Sequence, residues 1–191
     1  MSLLDDFRRR VRVIRSRLLW GCRFAGLGDW VDLGRCREVV NPGCVRMGSY
    51  IRITDGWFLA DLAPSKPTGS PKIVIGDWCI IMHDFQVNAA VSVEIQDHVL
   101  CAARVLVTDS DHIVDPAGER TTLCTDLRSA PVVIEHDCWI GQNAVITKGV
   151  RVGHHSIVGA NAVVTRNVPP FSIVGGIPAR VIGHVGEPSP L

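Results

Sequence analysis

Seven histidines and seven cysteines are the side chains here whose chemistry turns most readily to catalysis or metal binding. One histidine is marked by its company, in the run Asp109-Ser110-Asp111-His112 at the head of a long polar stretch. An imidazole beside carboxylates can take a proton and return it near neutral pH, with a carboxylate steadying the ring. On residue type alone the run also suits an ordinary polar loop. His98, His136, His154 and His155 fall where turns are expected, and solvated corners account for them. The cysteines are odd in number and form no CxxC pair, which argues against a disulfide framework or a four-cysteine zinc site and for reduced thiols.

A repeat supplies the scaffold for these groups. From residue 134 the chain divides into sixes: IEHDCW, IGQNAV, ITKGVR, VGHHSI, VGANAV and VTRNVP. Each opens on Ile or Val, namely Ile134, Ile140, Ile146, Val152, Val158 and Val164. The fifth place is compact in every unit: Cys138, Ala144, Val150, Ser156, Ala162 and Val168. The same step returns upstream at Ile75, Ile81 and Val87, then at Ile95, Cys101 and Val107 after a slip of two residues. Weaker copies begin at Leu33, Val39, Met47 and Ile53. A period of six is neither helical nor simple strand alternation. It fits a short strand plus a corner, three of which close a triangular coil whose stacked turns bury an aliphatic column. Cys79, Cys101 and Cys138 then become buried small hydrophobes.

Two stretches leave the repeat, a Pro-, Ser- and Gly-rich loop at 60–72 and the long polar loop at 109–131 that carries His112. Before the repeat, Leu4, Phe7, Val11, Ile14 and Leu18 recur at helical spacing with Arg8, Arg9, Arg12 and Arg15 largely off that stripe. This predicts a helix packed across the open end of the coil; a basic helix on an anionic membrane is the sharper alternative. The expected divisions are 1–26 for the helix, 27–182 for the coil and 183–191 for a loose tail. With 191 residues, 47% hydrophobic and 20% charged, the chain holds one domain and is too apolar to be disordered. A net charge of +1 offers no general attraction for nucleic acid, and no apolar run reaches the length of a membrane span. A cytoplasmic protein, with the inner face of the membrane as an alternative site, is the expectation.

The tandem hexapeptides resemble those of the left-handed parallel β-helix acyltransferases, in particular the galactoside and maltose O-acetyltransferase branch and the related polysaccharide O-acetyltransferases. VTDSDH (107–112), CWIGQNAVITKGV (138–150) and VGANAVVTRNVPPFSIVGGIPARVI (158–182) carry the likeness. The resemblance implies an all-β, left-handed parallel β-helix with a short N-terminal helix and a long protruding loop. It also implies homotrimers with sites between neighbouring coils and acetyl transfer from acetyl-CoA to a hydroxyl. His112 stands at the family's general-base position, with Asp109 and Asp111 as candidates to orient it. The acceptor candidates are Met82, His83 and Asn88. Met82 replaces a family Asn, and Ala90 stands at a nearby carboxylate position, so a simple galactoside or maltose acceptor is in doubt. The matching donor positions are Trp139, Gln142, Ala160, Thr165, Arg166 and Arg180, the arginines suiting CoA phosphates. Gly183 replaces a second basic residue there.

These features point to an O-acetyltransferase acting on a sugar or cell-surface glycan precursor, without a metal. Acetylation of an amino group on a nucleotide-linked sugar is the near alternative. A zinc carbonic anhydrase on the same coil would need three histidines converging on one metal; resemblance to that family implies two of them five apart, a spacing the sequence lacks. A non-catalytic β-helical scaffold is the remaining class.

Overall fold

From residue 134 on, the aliphatic residue that opens each hexapeptide ends a short strand and turns inward; upstream, Val87 and Val107 lie inside their strands and Val39 is only half-buried. In the computed structural model, which describes residues 3–63, 70–113 and 126–186, Ile134, Ile140, Ile146, Val152, Val158 and Val164 are all essentially buried. So are the compact residues of the second column, from Cys138 to Val168. The strands fall into three parallel sheets. The first contains Val45–Met47, Ile73–Ile75, Val93–Ile95, Val132–Ile134 and Arg151–Val152; the second Asp32–Leu33, Arg52–Ile53, Ile80–Ile81, Leu100–Cys101, Trp139–Ile140 and Ile157–Val158; the third Trp57–Asp61, Gln86–Ala89, Leu106–Thr108, Val145–Ile146 and Val163–Val164. Residues one coil apart pair directly, as Ile75 with Ile95, Ile95 with Ile134, and Ile134 with Val152. The core is therefore a column of stacked aliphatic side chains. Trp57 and Phe85 are buried in it as well, and the Trp57 indole N–H donates to the Gly34 carbonyl at 3.1 Å.

The corners have their own stacking. Between the first and second sheets, Tyr50, Trp78, His98, Asp137, His155 and Phe171 all have φ between 56° and 60°, a left-handed conformation that L-residues other than Gly, Asn and Asp adopt at a cost. Bonds from coil to coil hold them there, such as His155 N–H to the His136 carbonyl at 3.1 Å and Trp78 N–H to the Ser49 carbonyl at 2.9 Å. Acidic side chains brace the preceding coil: Asp97 accepts from the Asp77 N–H, and Asp77 from the Ser49 N–H, each at 2.7 Å. The two-residue slip after Val87 is a wider corner at Ala90, Val91 and Ser92.

The N-terminal helix, Leu3–Trp20, seals the edge of the second sheet, but with the face opposite to the one expected. Buried Ser16 accepts from the Leu33 N–H at 3.0 Å, and the Arg15 guanidinium donates to the Leu33 carbonyl at 2.7 Å. Arg12 forms a two-pronged pair with buried Asp32 at 2.7 and 2.9 Å. These contacts satisfy edge-strand groups that would otherwise lie open. Phe7, Val11, Ile14 and Leu18 face away from the coil and are exposed; polar satisfaction of the edge strand, not burial of the apolar stripe, sets the helix orientation. At the other end Ser172–Gly176 and Ala179–His184 close the second sheet as an antiparallel pair, so the ordered coil runs past the expected boundary at 182. The middle of each loop, 64–69 and 114–125, and the tail from 187 lie outside the described residues.

Candidate active site on two edges of the coil

The stretch expected as a plain loop begins and ends as a β-hairpin. Ser110–His112 pairs antiparallel with Leu127–Ser129, His112 opposite Leu127, and the His112 side chain is exposed. Asp109 is fully buried at the root of this hairpin. Its carboxylate accepts from the backbone N–H groups of Ala90, Val91 and Ser92, each at 2.7 Å. Asp109 thus acts as a brace that ties the hairpin root to the wide corner one coil below. Asp111 is exposed and pairs with Lys148, on the next coil's corner.

The candidate residues divide between two edges of the triangular coil. His83, Gln142 and Ala160 line the corner between the second and third sheets, in one column with Arg35 and Asp55, linked by bonds such as Arg104 N–H to the His83 carbonyl at 2.9 Å. Met82 precedes His83, and both are exposed. His112, Thr165 and Arg166 belong to the opposite corner, between the third and first sheets. The strands of the third sheet separate the two edges: the three residues of Leu106–Thr108, at about 3.3 Å each, span about 10 Å. Asn88 lies on that sheet, half-buried, beside Thr108 in register. Trp139 lies on the outer face of the second sheet, exposed, in a row with Ile80 and Leu100. Arg180 sits in the terminal antiparallel pair, its guanidinium donating to the Ala179 carbonyl at 2.8 Å. A single chain therefore does not bring His112 to the acceptor and donor candidates on the other edge. Ala90, the departure from the family carboxylate, is buried with its N–H on Asp109.

Sequence spacing missed a cavity of about 470 Å³ lined by Arg12, Arg15, Arg35, Arg52, Asp32, Asp55, Met82 and His83, among others. The helix contributes two of its arginines and the first coils the other two, so residues distant in sequence meet only after docking. Arg12 is committed to Asp32, whereas Asp55 accepts the Arg35 backbone N–H at 2.7 Å and the Arg35 guanidinium approaches it only to 3.8 Å, both side chains remaining largely exposed. Arg52 has no ion-pair partner among the described residues. The Asp32 contact keeps the Arg12 pKa above its ordinary value, through the side-chain hydrogen bond first.

The turn histidines also gather. His136 and His154 stack at 5.0 Å between ring centres, and His155 stacks on Phe171 at 5.0 Å. His136, Asp137 and His155 place potential metal-ligand atoms within 4.8 Å of one another, all exposed. The Asp137 carboxylate already holds the His136 ring at 2.8 Å, a hydrogen bond that, against the opposing effect of burial, keeps the Asp137 pKa below its ordinary value. Cys79, Cys101 and Cys138 are buried as expected. Burial pushes the Cys79 and Cys138 thiols up to about 11 and raises that of Cys101 as well, which disarms them as nucleophiles.

Fold and repeat together define the class: a left-handed parallel β-helix built from hexapeptide repeats. Residues 131–166 match the hexapeptide repeat of succinyl-transferase. Among curated proteins the chain is 33% identical over 96 residues to galactoside O-acetyltransferase from Escherichia coli (strain K12), covering 50% of this chain and 46% of that protein. It is 49% identical over 57 residues to 2,3,4,5-tetrahydropyridine-2,6-dicarboxylate N-acetyltransferase from Brevibacillus brevis, covering 30% and 24%. The chain thus spans less than half the length of these two relatives. A hexapeptide-repeat acetyltransferase from Vibrio cholerae O1 biovar eltor, solved with acetyl coenzyme A, has TM-score 0.60 at 25% identity, covering 94% of this chain and 85% of that one. A variant of AntD, an N-acyltransferase from Bacillus cereus solved with dTDP and coenzyme A, has TM-score 0.73 at 21% identity, covering 90% and 89%.

Proposed function

We propose that the chain is an acetyl-CoA-dependent O-acetyltransferase whose acceptor is a hydroxyl of a sugar or glycan precursor, with His112 as general base. The observation that carries this reading is the placement of His112: exposed on a hairpin arm, with the arm's root pinned by Asp109. A sugar hydroxyl is a weak nucleophile until its proton is taken as it attacks. His112 takes that proton while the new oxygen–carbon bond forms at the thioester carbonyl. The resulting imidazolium returns the proton to the departing CoA sulfur as the carbon–sulfur bond breaks. A backbone N–H would serve the oxyanion of the intermediate. Gln142, Ala160, Thr165, Arg166, Arg180 and Trp139 are the donor-binding residues in this reading. Because the two sets of residues occupy different edges, the site is completed between copies, and a homotrimer with His112 of one protomer facing the second–third corner of the next accounts for both sets.

The arginine-lined cavity beside Met82 and His83 supports a second reading, in which the acceptor is a nucleotide-linked amino sugar and the product an amide. Arg35 and Arg52 would meet its phosphates.

A thermal-shift titration with acetyl-CoA, against ADP, tests the donor. A mass-spectrometric screen of hydroxyl and amino acceptors then separates the two readings. His112→Ala is expected to lower kcat about 10²- to 10⁴-fold while the acetyl-CoA shift remains. No shift with acetyl-CoA, or full turnover by His112→Ala, would sink the proposal.

A further inference from the structure

Phe7, Val11, Ile14 and Leu18 recur at intervals of four, three and four and so share one face of the helix Leu3–Trp20. Their exposures are 65%, 49%, 60% and 76%. The opposite face, with Arg12, Ser16 and Trp20, is the one docked on the coil. A contiguous apolar strip left outside a folded domain marks a contact with something else.

The flanks of the strip say what that partner is. At helical spacing, Arg8 and Arg15 run along one side of it and Arg10 and Arg17 along the other. Arg15 reaches back to the Leu33 carbonyl, while Arg10 and Arg17 make exposed pairs with Asp6 and Asp29 at 3.1 and 3.0 Å, which solvent screening leaves weak. Trp30, half exposed, stands beside the second flank, where it shares a cavity of about 430 Å³ with Arg10, Val13, Ile14 and Arg17. An apolar strip between two arginine rows, with an indole at its margin, matches the layering of a bilayer surface: acyl chains, then an indole at headgroup depth, then phosphates. A second copy of the helix would set arginine rows against arginine rows, whereas an anionic lipid surface complements them. No helix among the described residues is long and apolar enough to cross a membrane, so the contact is lateral.

We propose that this helix lies in the surface of an anionic bilayer, with Phe7, Val11, Ile14 and Leu18 among the acyl chains and Arg8, Arg10 and Arg17 at the lipid phosphates. The inference stands apart from the reaction the coil performs.

Co-sedimentation of the full chain with vesicles tests it. The protein is expected to pellet with phosphatidylcholine vesicles containing about a third phosphatidylglycerol. It should pellet far less with phosphatidylcholine alone, and be released by salt of about 0.5 M. Phe7→Asp with Leu18→Asp should reduce the bound fraction about tenfold or more, and Arg8→Gln with Arg10→Gln severalfold, each with a melting temperature near that of the wild type. Wild-type protein that stays in the supernatant with the anionic vesicles overturns the proposal, as does a doubly aspartate-substituted protein that pellets like the wild type. A change in sedimentation coefficient of the lipid-free aspartate variant, with vesicle binding intact, assigns the strip to a contact between copies and overturns it too.

Discussion

The carboxylate of Asp109 holds the backbone N–H of Ser92 at 2.7 Å, across the step between two coils. With Ala90 and Val91 on the same carboxylate, this is the joint at which a rigid coil hands the chain to the His112 hairpin. Ala90, Val91 and Ser92 are also the residues that widen the corner, so a buried charge and an irregularity of the repeat answer each other. Hydrogen bonds to a buried charged group contribute more than neutral ones.

Asp109→Asn keeps the shape but offers one acceptor oxygen and turns an NH₂ toward backbone donors. The expected loss is about 2–4 kcal/mol, read by urea unfolding. Asp111→Asn, which removes only an exposed pair with Lys148, is the control and should fall within about 0.5 kcal/mol of wild type. Equal effects of the two substitutions would contradict the brace.

Lys72 and Asp61 flank the shorter loop, both buried, with the ammonium 2.7 Å from the carboxylate and 2.6 Å from the Ala63 carbonyl. Burial works against ionisation of Asp61, but the bonds from Lys72, Asn41 and the Ala63 N–H outweigh it and hold its pKa below the ordinary value. Lys72→Met leaves that charge unpaired, and a loss of about 3–5 kcal/mol is expected. Adding Asp61→Asn should restore part of it; a double variant less stable than Lys72→Met would refute the pairing argument.

Glu135 supplies a pH dependence. Its pKa is lowered, chiefly by the Arg151 side chain at 2.6 Å and then by the His154 N–H at 2.9 Å, against the opposing effect of burial. A carboxyl whose folded pKa is depressed contributes stability above its unfolded value, 4.5, and loses that contribution as pH falls through the folded value. Arg151 is half exposed, so screening keeps the effect to about 1 kcal/mol or less. Melting curves taken from pH 6 downward (about pH 3 at the lowest) should fall less steeply for Glu135→Gln than for wild type; parallel curves would remove Glu135 from the account.

Among the six described cysteines, Cys22 is exposed and Cys44, Cys79, Cys101 and Cys138 are buried. Native labelling with iodoacetamide at neutral pH, mapped by peptide mass, should mark Cys22 and leave those four unmodified until the chain unfolds. Rapid native modification of Cys79 or Cys138 would show that their thiols are neither shielded nor raised in pKa.

Inward-facing residues were legible from the chain alone because a coil of fixed period repeats the same physical demand at every turn. Ile134 to Val164 and the compact residues beside them needed no tertiary knowledge to be placed in the core. The weaker copies at Leu33, Met47 and Ile53 followed from the same step, and the burial of Cys79, Cys101 and Cys138 from their slots. Proximity across coils was not legible, since it depends on corner lengths and on how elements dock. Asp109 looked like a partner for His112 because they are neighbours in sequence, yet its carboxylate reaches the coil below. Arg12 and Arg15 meet Arg35 and Arg52 only because the helix is turned on its axis to satisfy Leu33 and Asp32. The helix stripe itself was plain in the spacing of Phe7, Val11, Ile14 and Leu18. Its outward direction was decided by the unsatisfied backbone of an edge strand, which polar side chains of the helix could answer and apolar ones could not.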